Sequence, residues 1–199
     1  MGGCISTEAF DHAVLVPHKP MAVLHSRFAA QCPVTLLIKQ KMWSFSGDDF
    51  TIKDIHTGTP YFKINGSALS LRQKKSLLDY SGAQVAYMEE PLLSWTRRQE
   101  VYTPQKEKWF EIKPRLTMFS NELDCAAVDS VTGQTLHFGL QGDFIARKSV
   151  ITCDGVPVAK IWKPIEFVRT QYHVDIAPGV DMALIVLLCV ALDEATEKR

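Results

Sequence analysis

Met1-Gly2-Gly3-Cys4-Ile5-Ser6 holds the residues whose type and spacing best suit a chemical modification. Loss of Met1 leaves Gly2 as a terminal amine, and Ser6 stands where the N-myristoylation pattern wants Ser or Thr. A myristoylated N-terminus brushing a bilayer presents the Cys4 thiol for palmitoylation. One myristoyl chain anchors weakly and reversibly, whereas two chains anchor stably. Between residues 7 and 20 the only Lys or Arg is Lys19. A polybasic second signal is missing, so stable anchoring rests on Cys4. The second candidate chemistry is anion binding. Arg72, Lys74 and Lys75 lie in LRQKKS, and Arg97-Arg98 and Arg147-Lys148 are further basic pairs. Phosphoinositide headgroups need several cations converging on neighbouring phosphates. Arg72 and Lys74 share a strand face if their segment is extended. A solvated hairpin flank accounts for the same residues. The candidate headgroup set is Arg72, Lys74, Lys75, Arg97 and Arg98.

Other chemistries find no support. No glycine-rich phosphate loop of the dinucleotide or P-loop type occurs. No H-E-x-x-H motif and no CxxC pair suggests zinc. The six histidines are dispersed, and His137 and His173 fall on the polar phase of their segments, which predicts solvated side chains. Cys125, Cys153 and Cys189 fall in apolar runs, where a thiol is buried and inert. No metal, no cofactor and no catalytic residue is expected, and the chain reads as non-enzymatic. Zero net charge at neutral pH argues against a nucleic-acid partner. Five scattered cysteines fit reduced thiols in the cytosol better than a disulfide framework.

These residues need elements to position them, and one stretch organises the rest. From Met182 to Leu192 every residue is apolar, with Asp181 before it and Asp193 and Glu194 after it. A helix turns about 100° per residue, so the apolar surface covers every face. Eleven residues span about 16 Å, roughly half a bilayer core. The spacing predicts a core helix over about residues 180–194, broken from what precedes it by Pro178-Gly179.

Upstream, from residue 34, the period is two. Phe110 and Ile112 alternate with Glu111 and Lys113; Leu136, Phe138 and Leu140 with Thr135 and His137; Tyr172, Val174 and Ile176 with His173 and Asp175. Residues 34–39, 50–55, 61–64, 84–88, 99–103, 123–129, 148–153 and 156–162 read similarly, giving about eleven strands. Turns are expected at Gly47-Asp48, Thr57-Gly58, Asn65-Gly66, Ser81-Gly82, Thr132-Gly133, Gly142-Asp143 and Asp154-Gly155. Antiparallel strands that must surround an all-apolar helix predict a mainly β fold, a closed barrel with that helix through its middle. Residues 1–33 read as a loosely ordered arm in which residues 14–16 and 21–24 could add edge strands. Residues 34–196 read as the barrel domain.

The progression GDDFTIKDIHTGTPYFKINGSALSLRQKKSLLDYSGAQVAYMEE, then SWTRRQEVY, then GVDMALIVLLCVALDE, resembles the LURP-one-related family of the tubby C-terminal-like superfamily, which also includes phospholipid scramblases. The resemblance covers about residues 34–194 and implies a twelve-stranded barrel around a C-terminal helix. It also implies business with lipids, because tubby domains bind phosphoinositides and scramblases are proposed to move lipids and bind calcium. Asp48, Asp49 and Asp54 lack the ligand alternation of a calcium loop. The expectation is a membrane-associated scaffold or regulator, tethered by Gly2 and Cys4 to the cytoplasmic face of the plasma membrane. Its partners would be the inner leaflet, a phosphoinositide on the basic surface and a protein the sequence does not identify. The alternative is a scramblase-like protein whose helix enters the bilayer.

Overall fold

The computed structural model describes residues 5–39, 50–66, 74–91, 98–116, 121–164 and 171–197. A short helix α1 (Ile5–His12) opens the described chain. Twelve strands follow: β1 (Val34–Lys39), β2 (Phe50–Asp54), β3 (Pro60–Gly66), β4 (Lys75–Asp79), β5 (Gln84–Glu89), β6 (Gln99–Tyr102), β7 (Lys108–Leu116), β8 (Asn121–Val128), β9 (Thr135–Asp143), β10 (Lys148–Cys153), β11 (Val156–Trp162) and β12 (Gln171–Ile176). The chain ends on helix α2 (Met182–Glu197). Each strand pairs antiparallel with its neighbours in sequence, and β1 pairs with β12, from Val34 opposite Ile176 to Lys39 opposite Gln171. That pairing closes the barrel and leaves no edge.

Alternation decides what faces in. Leu36 and Ile38, Phe62 and Ile64, Phe110 and Ile112, Phe138 and Leu140, and Tyr172, Val174 and Ile176 all point at α2 and are buried. The helix runs the length of the interior. No residue from Met182 to Leu192 is more than 5% exposed. An apolar helix inside an apolar wall removes both surfaces from water, at about 1.5–3 kcal/mol for each large side chain.

The barrel has two ends, called here the floor, where α2 begins, and the rim, where it finishes. The β2–β3, β4–β5, β6–β7, β8–β9 and β10–β11 turns all lie at the floor. Three are held by an aspartate at the end of the preceding strand. Asp54 accepts from the His56 and Thr57 amides, Asp79 from the Ser81 and Ala83 amides, and Asp129 from the Val131 and Thr132 amides. Short polar side chains mimic a backbone turn in this way.

Four expectations need correction. Residues 21–30 are not loosely ordered: they are packed across the floor, with Met21, Ala22, Val23, Leu24, Phe28, Ala29 and Ala30 buried. Residues 14–16 and 21–24 form no edge strand, because the closed barrel offers no edge to join. Asn65-Gly66 and Gly142-Asp143 are not turns but lie inside β3 and β9. His173 is not solvated: it is 5% exposed, on the outer face of β12, with its ring edge-on to Trp162 at 4.7 Å. The expected turn at Gly47-Asp48 lies outside the described residues.

Candidate functional site

Two places carry the chemistry: the rim, where α2 ends among charged side chains, and the floor, where the arm meets the start of α2.

At the rim, Asp193 and Glu194 continue the helix instead of closing it. Both stay inside the barrel, 2% and 3% exposed. A carboxylate near a helix C-terminus opposes the helix dipole, and burial removes its water. The wall supplies the compensation. The Arg147 guanidinium donates to Asp193 Oδ1 at 2.6 Å, and the Tyr172 hydroxyl donates to Asp193 Oδ2 at 2.7 Å. Arg147 also stands over the rings of Phe144 and Tyr172, 4.1 and 4.3 Å from their centroids. It is delivered by the tight β9–β10 connection, where its own φ is 56°. Lys75 Nζ meets Glu194 Oε1 at 2.9 Å, with both side chains 4% exposed. Burial raises the Asp193 carboxyl above its ordinary range, against the pull of Arg147. The rim therefore latches α2 to β4 and to the β9–β10 connection through two buried ion pairs.

This geometry corrects the basic set. Lys75 is the first residue of β4 and points inward onto Glu194, so it is not part of an outer cationic surface. Lys74, one residue earlier, lies outside the wall with its ammonium 4.0 Å from the centroid of Tyr87. Tyr87 also stacks on Tyr102, rings 5.0 Å apart and nearly parallel at 4°. Arg98 lies just before β6 at the same rim, two strand spacings or about 10 Å from Lys74. It sits 3.9 Å from Glu100 and 4.0 Å from Glu111, carboxylates that Lys108 shares. The structure thus brings Lys74 and Arg98 to one rim, with acidic partners interleaved. Arg72 and Arg97, in the β3–β4 and β5–β6 connections, lie outside the described residues, as do Gly2 and Cys4.

At the floor, Asp181 is the N-cap of α2. Its Oδ1 accepts from the Ala183 and Leu184 amides at 3.0 and 3.2 Å, as a cap should. Its Oδ2 turns the other way and accepts from the arm, from Leu24 N at 2.8 Å and His25 N at 3.4 Å. Around it the arm is stitched down. Met21 N donates to Gly179 O, Ala30 N to Val180 O and Gly179 N to Ala30 O. Ala22 N donates to Asp129 Oδ2 at 2.7 Å, and Arg27 pairs with Asp79 at 3.0 Å. Before the floor, the arm runs down the outer wall. His18 Nε2 lies 3.3 Å from Pro157 O, Lys160 Nζ donates to Ala13 O at 3.2 Å, and α1 lies on β9 and β10.

Among the described residues no His, Cys, Asp or Glu group of three or more could hold a metal ion. Burial pushes the Cys125 and Cys153 thiols up to about 12, the opposite of what a nucleophile needs.

The latch was missed in the sequence, although one signal was present. Asp193 follows Leu192 without a break, so any helix enclosed to Leu192 must bury the next carboxylate or end at once. The arm left a weaker trace, the apolar run Met21-Ala22-Val23-Leu24 before a polar stretch.

The LURP-one-related family model matches residues 34–193. The chain belongs to that family. Among LURP-one-related proteins of Arabidopsis thaliana, number 15 is 25% identical over 195 residues, covering 92% of this chain and 89% of that protein. Number 10 is 26% identical over 188 residues, covering 87% of this chain and 96% of the relative. An X-ray structure of an Arabidopsis thaliana protein superposes with a TM-score of 0.63 at 24% identity, over 87% of this chain and 98% of the other. That likeness speaks to the fold: a LURP-one-related barrel threaded by its own C-terminal helix.

Proposed function

We propose that this LURP-one-related chain is a non-enzymatic scaffold or regulator, tethered to the cytoplasmic face of a membrane by acyl chains on Gly2 and Cys4. The observation that carries the reading is the path of the arm. The acylation pattern ends at Ser6, and α1 begins at Ile5 against the barrel wall. From there the chain descends to the floor and ends in hydrogen bonds to Asp181, the cap of the central helix. An acyl group at Gly2 would be joined to the body of the protein, not to a loose tail. The interior, where a pocket for substrate would otherwise form, is occupied by α2.

A headgroup site contributes less to this reading. Lys75 is spent on Glu194, Lys74 lies on an aromatic ring, and Arg98 shares its carboxylates with Lys108. The lipid-moving alternative requires α2 to leave the barrel. That would strip two buried ion pairs, and no described helix is long and apolar enough to cross a membrane.

Intact-mass measurement and membrane fractionation of the native protein, beside Gly2→Ala and Cys4→Ser, test the tether. The expected result is acyl mass on wild type, membrane-bound wild type and release of both variants. An unmodified wild type in the soluble fraction would end the proposal. Adding phosphoinositide to vesicles should change binding of the acylated protein less than removing either acyl chain does.

A further inference from the structure

Seven large hydrophobic side chains are exposed among the described residues: Val14, Val16, Tyr80, Val128, Val131, Ile145 and Val156. Val14, Val16, Val128, Val131 and Val156 lie on the β8–β11 side toward the floor, Ile145 lies on that side at the rim, and Tyr80 lies in the β4–β5 turn. Val128 ends β8 and Val131 is in the β8–β9 turn. Ile145 is in the β9–β10 connection, and Val156 begins β11. Val14 and Val16 lie on the arm where it crosses that wall, between the Lys160 contact at Ala13 and the Pro157 contact at His18. Leu15 between them packs inward, so the arm shows its two valines to solvent while its leucine is covered. Scattered single apolar residues on a surface are ordinary, but five toward the floor end of adjoining segments form a face.

We infer that this β8–β11 wall, with α1 and the arm upon it, is the surface that lies against the bilayer. The inference rests on the acyl tether proposed above. Gly2 is three residues from Ile5, and an extended chain covers at most about 11 Å in that distance. The acyl-glycine therefore stays within roughly that distance of Ile5, on the side of the barrel where α1 lies on β9 and β10. Twelve strands at about 4.8 Å make a barrel at least about 18 Å across before side chains are added. In the cyclic order β4 lies opposite β10. The tether is shorter than the barrel is wide, so Lys74 and its flank face away from the lipid that holds Gly2.

Charge selects the kind of lipid surface. The exposed ionised groups on this side are Glu8, Asp11, Glu122, Asp124 and Asp154 against Lys19 and Lys148. An anionic headgroup gains nothing from that balance. The contact is apolar, made with a neutral or zwitterionic surface by side chains that reach its interfacial layer.

Photocrosslinking of the full acylated chain on phosphatidylcholine vesicles tests the orientation. Benzoylphenylalanine is placed at Val16, Val131 or Val156, and on the opposite wall at Lys63 or Ser76. Lipid adducts should be at least about fivefold more abundant from the first three positions. A second arm uses myristoylated Cys4→Ser protein, whose single chain binds marginally. Val14→Glu, Val16→Glu and Val156→Glu together should weaken its vesicle partition by about tenfold, with the melting temperature unchanged. Acylated, vesicle-bound protein with equal adducts on both walls, or a triple variant that partitions as before, overturns the orientation and leaves the tether standing. Absence of acyl mass overturns the tether and the orientation with it.

Discussion

Asp181 joins two parts of the chain through a single carboxylate, and its titration should show this. Burial raises its carboxyl to about 6, although four backbone amides pull the other way. The ordinary value is 3.8. Folding therefore takes up a proton between those values. The stability that this group contributes is complete below about 3.8 and is lost as pH rises through about 6. Urea midpoints of wild type and Asp181→Asn, followed from about pH 4 to 7, isolate it because the other groups are common to both. Wild type should lose up to about 2–3 kcal/mol relative to the variant across that range. A pH-independent difference would mean that the four amides hold the folded carboxyl at its ordinary value. Asp181→Ala removes the cap and orphans amides from the arm as well as the helix, and should cost about 2 kcal/mol or more. Gly179 guards the same junction. Its φ is +85° and an added Cβ would run into the His18 carbonyl oxygen, so Gly179→Ala should lower the melting temperature and loosen the arm together.

At the scale of elements, β4 shows both what periodicity reveals and where it stops. Lys75, Leu77 and Asp79 face in, while Ser76 and Leu78 face out. Two of its three inward residues are charged, because its ends meet Glu194 at the rim and Arg27 at the floor. A hydrophobic count therefore passes over the strand, and Lys75 looks like a member of a basic surface. Phe110 and Ile112, Phe138 and Leu140, and Val174 and Ile176 meet the apolar part of α2, and their alternation was plain. Closure, threading and the aspartate before the helix were legible for that reason. The latch was not, since its partners come from β4, the β9–β10 connection and β12, and no local pattern joins them. The consequence is a sharp prediction for Lys75. Lys75→Ala leaves Glu194 buried beside an empty site and should cost about 3–5 kcal/mol in denaturant unfolding. Membrane partition of the acylated, still folded protein should not change. A soluble, fully stable Lys75→Ala that loses membrane binding would return the residue to the outer surface and sink the latch.

For the whole molecule, the arm decides whether the barrel is a body with a tail or one cooperative unit. Its first part only lies on the wall: α1 packs on β9 and on β10. Its second part is structural. Met21, Val23 and Leu24 are buried in the main core, and their neighbourhood supplies amide donors to Gly179, Asp129 and Asp181. Removing residues 2–12 should therefore cost about 1–2 kcal/mol, a melting shift of roughly 5 °C or less. Removing residues 2–24 deletes three large buried side chains, at about 1.5–3 kcal/mol each, and leaves two floor carboxylates short of donors. That truncation should melt at least about 10 °C below wild type, or fail to fold. Calorimetry of the two truncations beside the full chain makes the comparison. If the longer truncation melts within a few degrees of the shorter, the floor is closed without the arm and the arm is an appendage. If it collapses as expected, a force or displacement on the arm reaches the start of α2 through hydrogen bonds and buried side chains, and the proposed acyl tether would hold the barrel by its core.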